Sequence, residues 1–159
     1  MNIQEQFNQA IVNNDIKNIK LLLSHPRINP SDLNNYPIRT ASNQGHYDIV
    51  KLLLNDRRVN PAAINNLSII SASKNGYYDI VNLLLNDHRV NPSTYSNLAI
   101  RDASKNGHYD IVKLLLNDNR VNPADLSNWA IRYTSIKAHT DIVKLLLNDH
   151  RVNPADYNN

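Results

Sequence analysis

His46, His108 and His139 share one place in this 159-residue sequence, and His88 and His150 share another. Imidazole titrates near neutral pH and is the commonest metal ligand, so acid–base and metal chemistry are the first readings to weigh. Spacing argues against both. Within each class successive members stand 31 or 62 positions apart. Units stacked at one helix spacing lie ~10 Å apart, too far for two members to hold one ion. These histidines are expected to be structural or solvent-exposed, with the His46 class bracing an inter-helix turn. Nucleophile and phosphate chemistry are equally poorly provided for. There is no cysteine, hence no thiolate ligand, disulfide or thiol nucleophile. Gly45, Gly76 and Gly107 are isolated, and no G-x-x-x-x-G-K-[ST], G-x-S-x-G or H-E-x-x-H occurs. No catalytic residue, metal or cofactor is expected, and the chain does not read as an enzyme.

The interval of the histidines governs the whole chain. The glycines are 31 residues apart, and Asp48–Asp56 (DIVKLLLND) recurs at 79–87, 110–118 and 141–149 with Asn82 the one change. Val59-Asn60-Pro61 recurs at 90–92, 121–123 and 152–154, preceded by a weaker Ile28-Asn29-Pro30. A repeat of this length denotes a stacked array rather than a globule. The units run approximately 1–31, 32–62, 63–93, 94–124 and 125–155 within a single repeat domain, and 156–159 begin a truncated further loop.

Each unit reads as two helices. Ile49, Val50, Leu52, Leu53 and Leu54 leave only Lys51 polar, so this helix is apolar around most of its circumference and needs copies of itself on either side. Asp48 sits in its first turn, where the helix dipole favours a carboxylate. Arg27, Arg58, Arg89, Arg120 and Arg151 follow its last turn, and the residue before each proline forces a stop. A shorter helix precedes it, with a thin stripe of Ile38 and Ala41 repeated at 69/72 and 100/103. Gly45 ends that helix in a left-handed position, with Asn14 and Ala138 in its place in the end units. Asn35, Asn66, Asn97 and Asn128 stand where an Asn caps a helix N-terminus. The Asp56/Arg58 pairs read as a neutralised, solvated edge, each worth roughly 0–1 kcal/mol.

Ala41-Ser-Asn-Gln-Gly-His-Tyr-Asp-Ile-Val-Lys-Leu-Leu-Leu54, with its copy at 103–116, resembles the ankyrin repeat, whose core reads approximately A-A-x-x-G-H-x-x-[IV]-V-x-x-L-L. The resemblance covers all five units and implies an all-α solenoid of stacked helix-turn-helix repeats. The family's Thr-Pro-Leu-His opening is represented by Tyr36-Pro-Ile-Arg39, Leu67-Ser-Ile-Ile70, Leu98-Ala-Ile-Arg101 and Trp129-Ala-Ile-Arg132. Each unit is two residues shorter than the usual 33, and the turn residues differ, so β-hairpin fingers are expected to be short or absent. The short, Asn-rich units resemble ankyrin-repeat proteins encoded by giant DNA viruses and some amoebae.

The resemblance further implies that the short helices line a concave surface that binds a protein partner. Its positions vary between units while the framework does not: Asn43, Lys74, Lys105 and Ile136 form one set, Gln44, Asn75 and Asn106 another, and Tyr133 stands out in a third. Arg39, Arg101 and Arg132 recur beside them. The strip has a basic bias that suits an acidic partner surface, against the alternative of drift on a solvated face. Trp129 is expected to pack between neighbouring loops, the alternative being an aromatic anchor with Tyr133.

The ends differ. Asn18 stands where inner units have Ile49, as in a capping repeat. The last unit keeps an interior-type Ile142, Val143, Leu145, Leu146 and Leu147, so either the array continues or a partner or second copy covers that face. Assembly through this repeat is the alternative function. A net charge of +3 does not call for nucleic acid. No secretory signal or membrane-length apolar run occurs. The expected location is cytoplasmic, the host cytoplasm for a viral source.

Overall fold

A computed structural model of the chain describes residues 1–155, and the further loop expected at 156–159 lies outside them. Ten helices form five successive pairs: α1 (Ile3–Val12) with α2 (Ile16–Leu23), α3 (Asp32–Gln44) with α4 (Tyr47–Leu54), α5 (Ala63–Asn75) with α6 (Tyr78–Leu85), α7 (Thr94–Lys105) with α8 (Tyr109–Leu116), and α9 (Asp125–Ile136) with α10 (Thr140–Leu147). Among the described residues there is no β-strand. First helices approach their counterparts in the next pair much more closely than second helices do. The stack therefore curves, with the first helices on its inner side.

Burial explains the pairs. Ile38 and Ala41 are fully buried, as are Ile69/Ala72 and Ile100/Ala103. Ile49, Val50 and Leu53 are buried in α4, with Leu52 and Leu54 packed half-buried against the same core. Val59, Val90 and Val121 bury the loops between pairs. Each inner second helix (α4, α6 and α8) lays an apolar surface against its neighbours on both sides, so the core is continuous along the array.

Two expectations about the first helices are corrected. They are not the shorter ones, since the right-handed part of α3 from Tyr36 to Gln44 is at least as long as α4. The Asn35 class does not cap them. Instead α3, α5, α7 and α9 each open with three consecutive left-handed residues: Leu33-Asn34-Asn35, Ile64-Asn65-Asn66, Tyr95-Ser96-Asn97 and Leu126-Ser127-Asn128, at φ between +50° and +63°. Such backbone costs L-residues about 1–2 kcal/mol each, so something beyond local preference must hold it. The glycine expectation stands. Gly76 ends α5 at φ +82°, and Asn14 and Ala138 take the same left-handed conformation.

Candidate functional site

The candidate surface rests on three sets of contacts between units. The first is the buried Asn class. Asn35 Oδ1 accepts from the backbone N–H of Asn60 at 2.7 Å, Asn66 from Asn91 at 2.8 Å, and Asn97 from Asn122 at 2.7 Å. Each therefore satisfies a loop N–H of the following unit, and the left-handed turn is what aims the amide there. The bond is half-buried, so leaving that N–H unpaired would be costly. The side chains of Asn60, Asn91 and Asn122 then close Asx turns over the prolines, accepting from the N–H of Ala62, Ser93 and Ala124.

The second set is the arginine class. Arg89 pairs with Asp87 through both Nε and Nη2, and its Nη1 donates to Val59 O of the preceding unit at 2.9 Å. Arg58 reaches Ile28 O and Leu23 O in the same way, and Arg151 reaches Val121 O and Leu116 O. Leu23 and Leu116 end α2 and α8, so each cation serves the C-terminus of the previous unit's helix rather than its own. This overturns the reading of a merely solvated edge. The hydrogen bond from its arginine, working against burial, holds each of Asp56, Asp87, Asp118 and Asp149 below the usual carboxylate range.

The histidines complete the scaffold. His108 Nε2 lies 2.9 Å from Lys74 O and His139 Nε2 3.2 Å from Lys105 O, bracing the turn against the preceding unit. The His108 ring covers Gly76 so closely that a Cβ there would meet Cε1 at 2.7 Å; Tyr77 covers Gly45 likewise. Where Asn14 stands in place of the glycine, His46 uses Nδ1 to reach Ile11 O at 3.0 Å instead.

On this scaffold the inner helices present the residues singled out from the sequence. Arg39 is turned onto its own left-handed turn, donating to Leu33 O and Asn34 O at 2.9 Å. Arg101 does the same with Tyr95 O and Ser96 O, and its Cζ stands 4.6 Å over the Trp129 ring. Trp129 stacks on Tyr133 with ring centroids 4.0 Å apart. The expected burial of Trp129 between loops is thus corrected: it lies half-exposed on the inner helices, bridging two units. Asn75 Nδ2 reaches Asn43 O, and Asn106 Nδ2 reaches Lys74 O, so these two amides tie neighbouring helix ends together. Asn43, Gln44 and Lys74 are exposed and Lys105 is half-exposed. Ile136 is 74% exposed, a large apolar side chain in water. Burial pushes the Asp102 carboxyl up, against the pull of Lys74, Lys105 and Arg101.

Charge gathers on this face. The inner helical stretches 36–45, 67–76, 98–107 and 129–138 hold six cations and one carboxylate, a net +5 in a chain whose total is +3. Arg132 is turned aside and lines a groove of about 290 Å³ with Ile131, Val143 and Leu147 on the outward side of the last pair. Sequence reasoning missed the apolar residue that opens every left-handed turn: Leu33, Ile64, Tyr95 and Leu126. Their common spacing of 31 was the available signal.

No helix is long and apolar enough to cross a membrane among the described residues. The family model described as ankyrin repeats (3 copies) matches residues 7–96 and again 69–159. No curated protein matches the chain.

Proposed function

The chain belongs to the ankyrin-repeat family, and on that premise we propose that it is a non-enzymatic scaffold binding a protein partner through its inner-helix face. Residues 1–159 form one repeat domain of five units in this reading. The observation that carries it is the concentration of charge: net +5 in the inner helical stretches, carried by a stack whose units are held together by the Asn, Arg–Asp and His contacts. A surface so biased selects partners by electrostatic complementarity, which sets approach rate and specificity. The partner is acidic. Nucleic acid is disfavoured because α4, α8 and α10 each offset their lysine with an aspartate three positions before it, as at Asp110 and Lys113. The Asn-rich units fit a viral or amoebal source and action in the cytoplasm.

The contact set is Lys74 and Lys105 as cations beside Asp102, Tyr133 and Ile136 as apolar contacts, and Asn43, Gln44, Asn75 and Asn106 between them. Arg39 and Arg101 position the turns that border it, and Arg132 lies at its end. Capture from native extract should yield a partner with wild-type protein and none with Lys74→Glu/Lys105→Glu. Equal capture by that variant sinks the reading. Arg101 is left intact because it supports its own turn.

A second reading has one observation in its favour. The groove bordered by Val143 and Leu147, the latter 46% exposed, is an apolar surface fit for assembly. Light scattering that stays monomeric up to high concentration excludes self-association there.

A further inference from the structure

Four large apolar side chains stand in water at one place in successive units: Leu33 (64% exposed), Ile64 (44%), Tyr95 (54%) and Leu126 (48%). Each is the first residue of a left-handed turn, at φ +50° to +52°. That region disfavours all of them, and β-branched Ile most. Asn or Gly would suit both the backbone and the solvent better. Stability therefore does not account for their type, and strain kept at an exposed position points to function.

The four form a ridge along the edge where the inner helices begin. Asn65 Nδ2 donates to Tyr95 Oη at 2.7 Å, joining neighbours on it. Arg39 and Arg101 grip the ridge carbonyls of Leu33 and Tyr95. Through Arg101, Trp129 and Tyr133 the ridge passes without a break into the basic inner face. Lys74 and Lys105 stand at the opposite end of the inner helices, so the right-handed stretch from Tyr36 to Gln44 and its copies span the floor between ridge and lysines.

Building on the proposed inner-face interaction, we infer that the partner segment is an acidic amphipathic helix laid along the array, its apolar stripe on the ridge and its carboxylates over Lys74 and Lys105. The floor is nine residues of helix, about 13 Å at 1.5 Å per residue, wide enough for a helix of about 10–12 Å diameter. Units stacked ~10 Å apart match seven residues of a partner helix, so one apolar side chain per heptad meets one ridge residue per unit. The charge of the floor fixes the sign of the partner's polar side.

The full chain serves as bait for a displayed library of random peptides three heptads long, and anisotropy measures the enriched peptides. Enriched sequences should be acidic, with apolar residues seven apart. Leu33→Asn/Ile64→Asn/Tyr95→Asn/Leu126→Asn should weaken them at least tenfold while melting no earlier than wild type, so that lost binding is not lost folding. Lys74→Glu/Lys105→Glu should also weaken them at least tenfold. If only the lysine variant loses binding, the ridge assignment is overturned and the inner-face reading stands. If neither variant loses binding, both fall. Enrichment of peptides lacking acidic residues, or tighter binding of a single-stranded oligonucleotide, overturns the acidic helix as partner.

Discussion

Arg89 Nη1 donates to Val59 O, thirty residues back in the chain and one unit back in the stack, while the same guanidinium is locked on Asp87. The pair is a staple between units, and its energy is registered where units separate.

Arg89→Met should therefore lower stability by about 1–3 kcal/mol, the scale of lost charge-assisted hydrogen bonds with a partner left unpaired. Arg89→Lys should recover only part, because an ammonium cannot grip the carboxylate and reach the carbonyl together. Arg57, exposed two positions after Asn55, makes no hydrogen bond or ion pair through its side chain among the described residues, and Arg57→Met should fall within about 0.5 kcal/mol of wild type. Chemical denaturation of the three variants checks this.

Gly76 and His108 should couple. Gly76→Ala places a Cβ at 2.7 Å from His108 Cε1 and at φ +82°, and should cost about 1–3 kcal/mol. Removing the ring with His108→Ala relieves the contact but not the backbone strain. The cost of Gly76→Ala should accordingly shrink in that background without vanishing, as a double-mutant cycle would read.

Within one left-handed turn two substitutions should move stability in opposite directions. Ile64→Asn relieves a β-branched residue at φ +50° and should stabilise by up to about 1 kcal/mol. Asn66→Ala leaves the N–H of Asn91 unpaired and should destabilise by about 1–3 kcal/mol. Thermal melts of both variants decide the matter; like signs would refute the account of the turn.

Stability should fall in acid. Asp56, Asp87, Asp118 and Asp149 titrate below the ordinary range because of their arginines. The folded chain thus takes up their protons less readily than the unfolded one. Their contribution is complete above the ordinary aspartate value of about 3.9 and drains away as pH drops through the lowered values. Asp102 has the opposite sign, because burial raises it. Its contribution is present below the ordinary value and lost as pH rises through the raised one. Asp102→Asn should therefore raise the melting temperature at neutral pH by at most ~4 °C, and the gain should disappear in acid.

The period, the helix pairs, their apolar stripes and the left-handed glycines were legible because they are local. A Gly ending a helix, a Pro stopping one, and leucines that need company all announce themselves within a few residues. The candidate site was legible as a class of varying positions, although Arg39 and Arg101 proved to be supports for their own turns. What stayed hidden was the unit in which each polar partner lies. In a repeating sequence the neighbour at the same offset exists in a residue's own unit and in the adjoining ones, so spacing alone cannot distinguish them. Asn66 read as a cap for its own helix; its acceptor oxygen is taken by Asn91 of the next unit. Arg89 follows the last turn of its own helix in sequence; it closes the helix before. Even the three-residue left-handed turn follows from this, since no local preference produces it and only the hydrogen bond to the N–H across the interface rewards it. The sequence alone determined the repeating unit, and stacking decided which unit each hydrogen bond would serve, because those bonds exist only once two units meet.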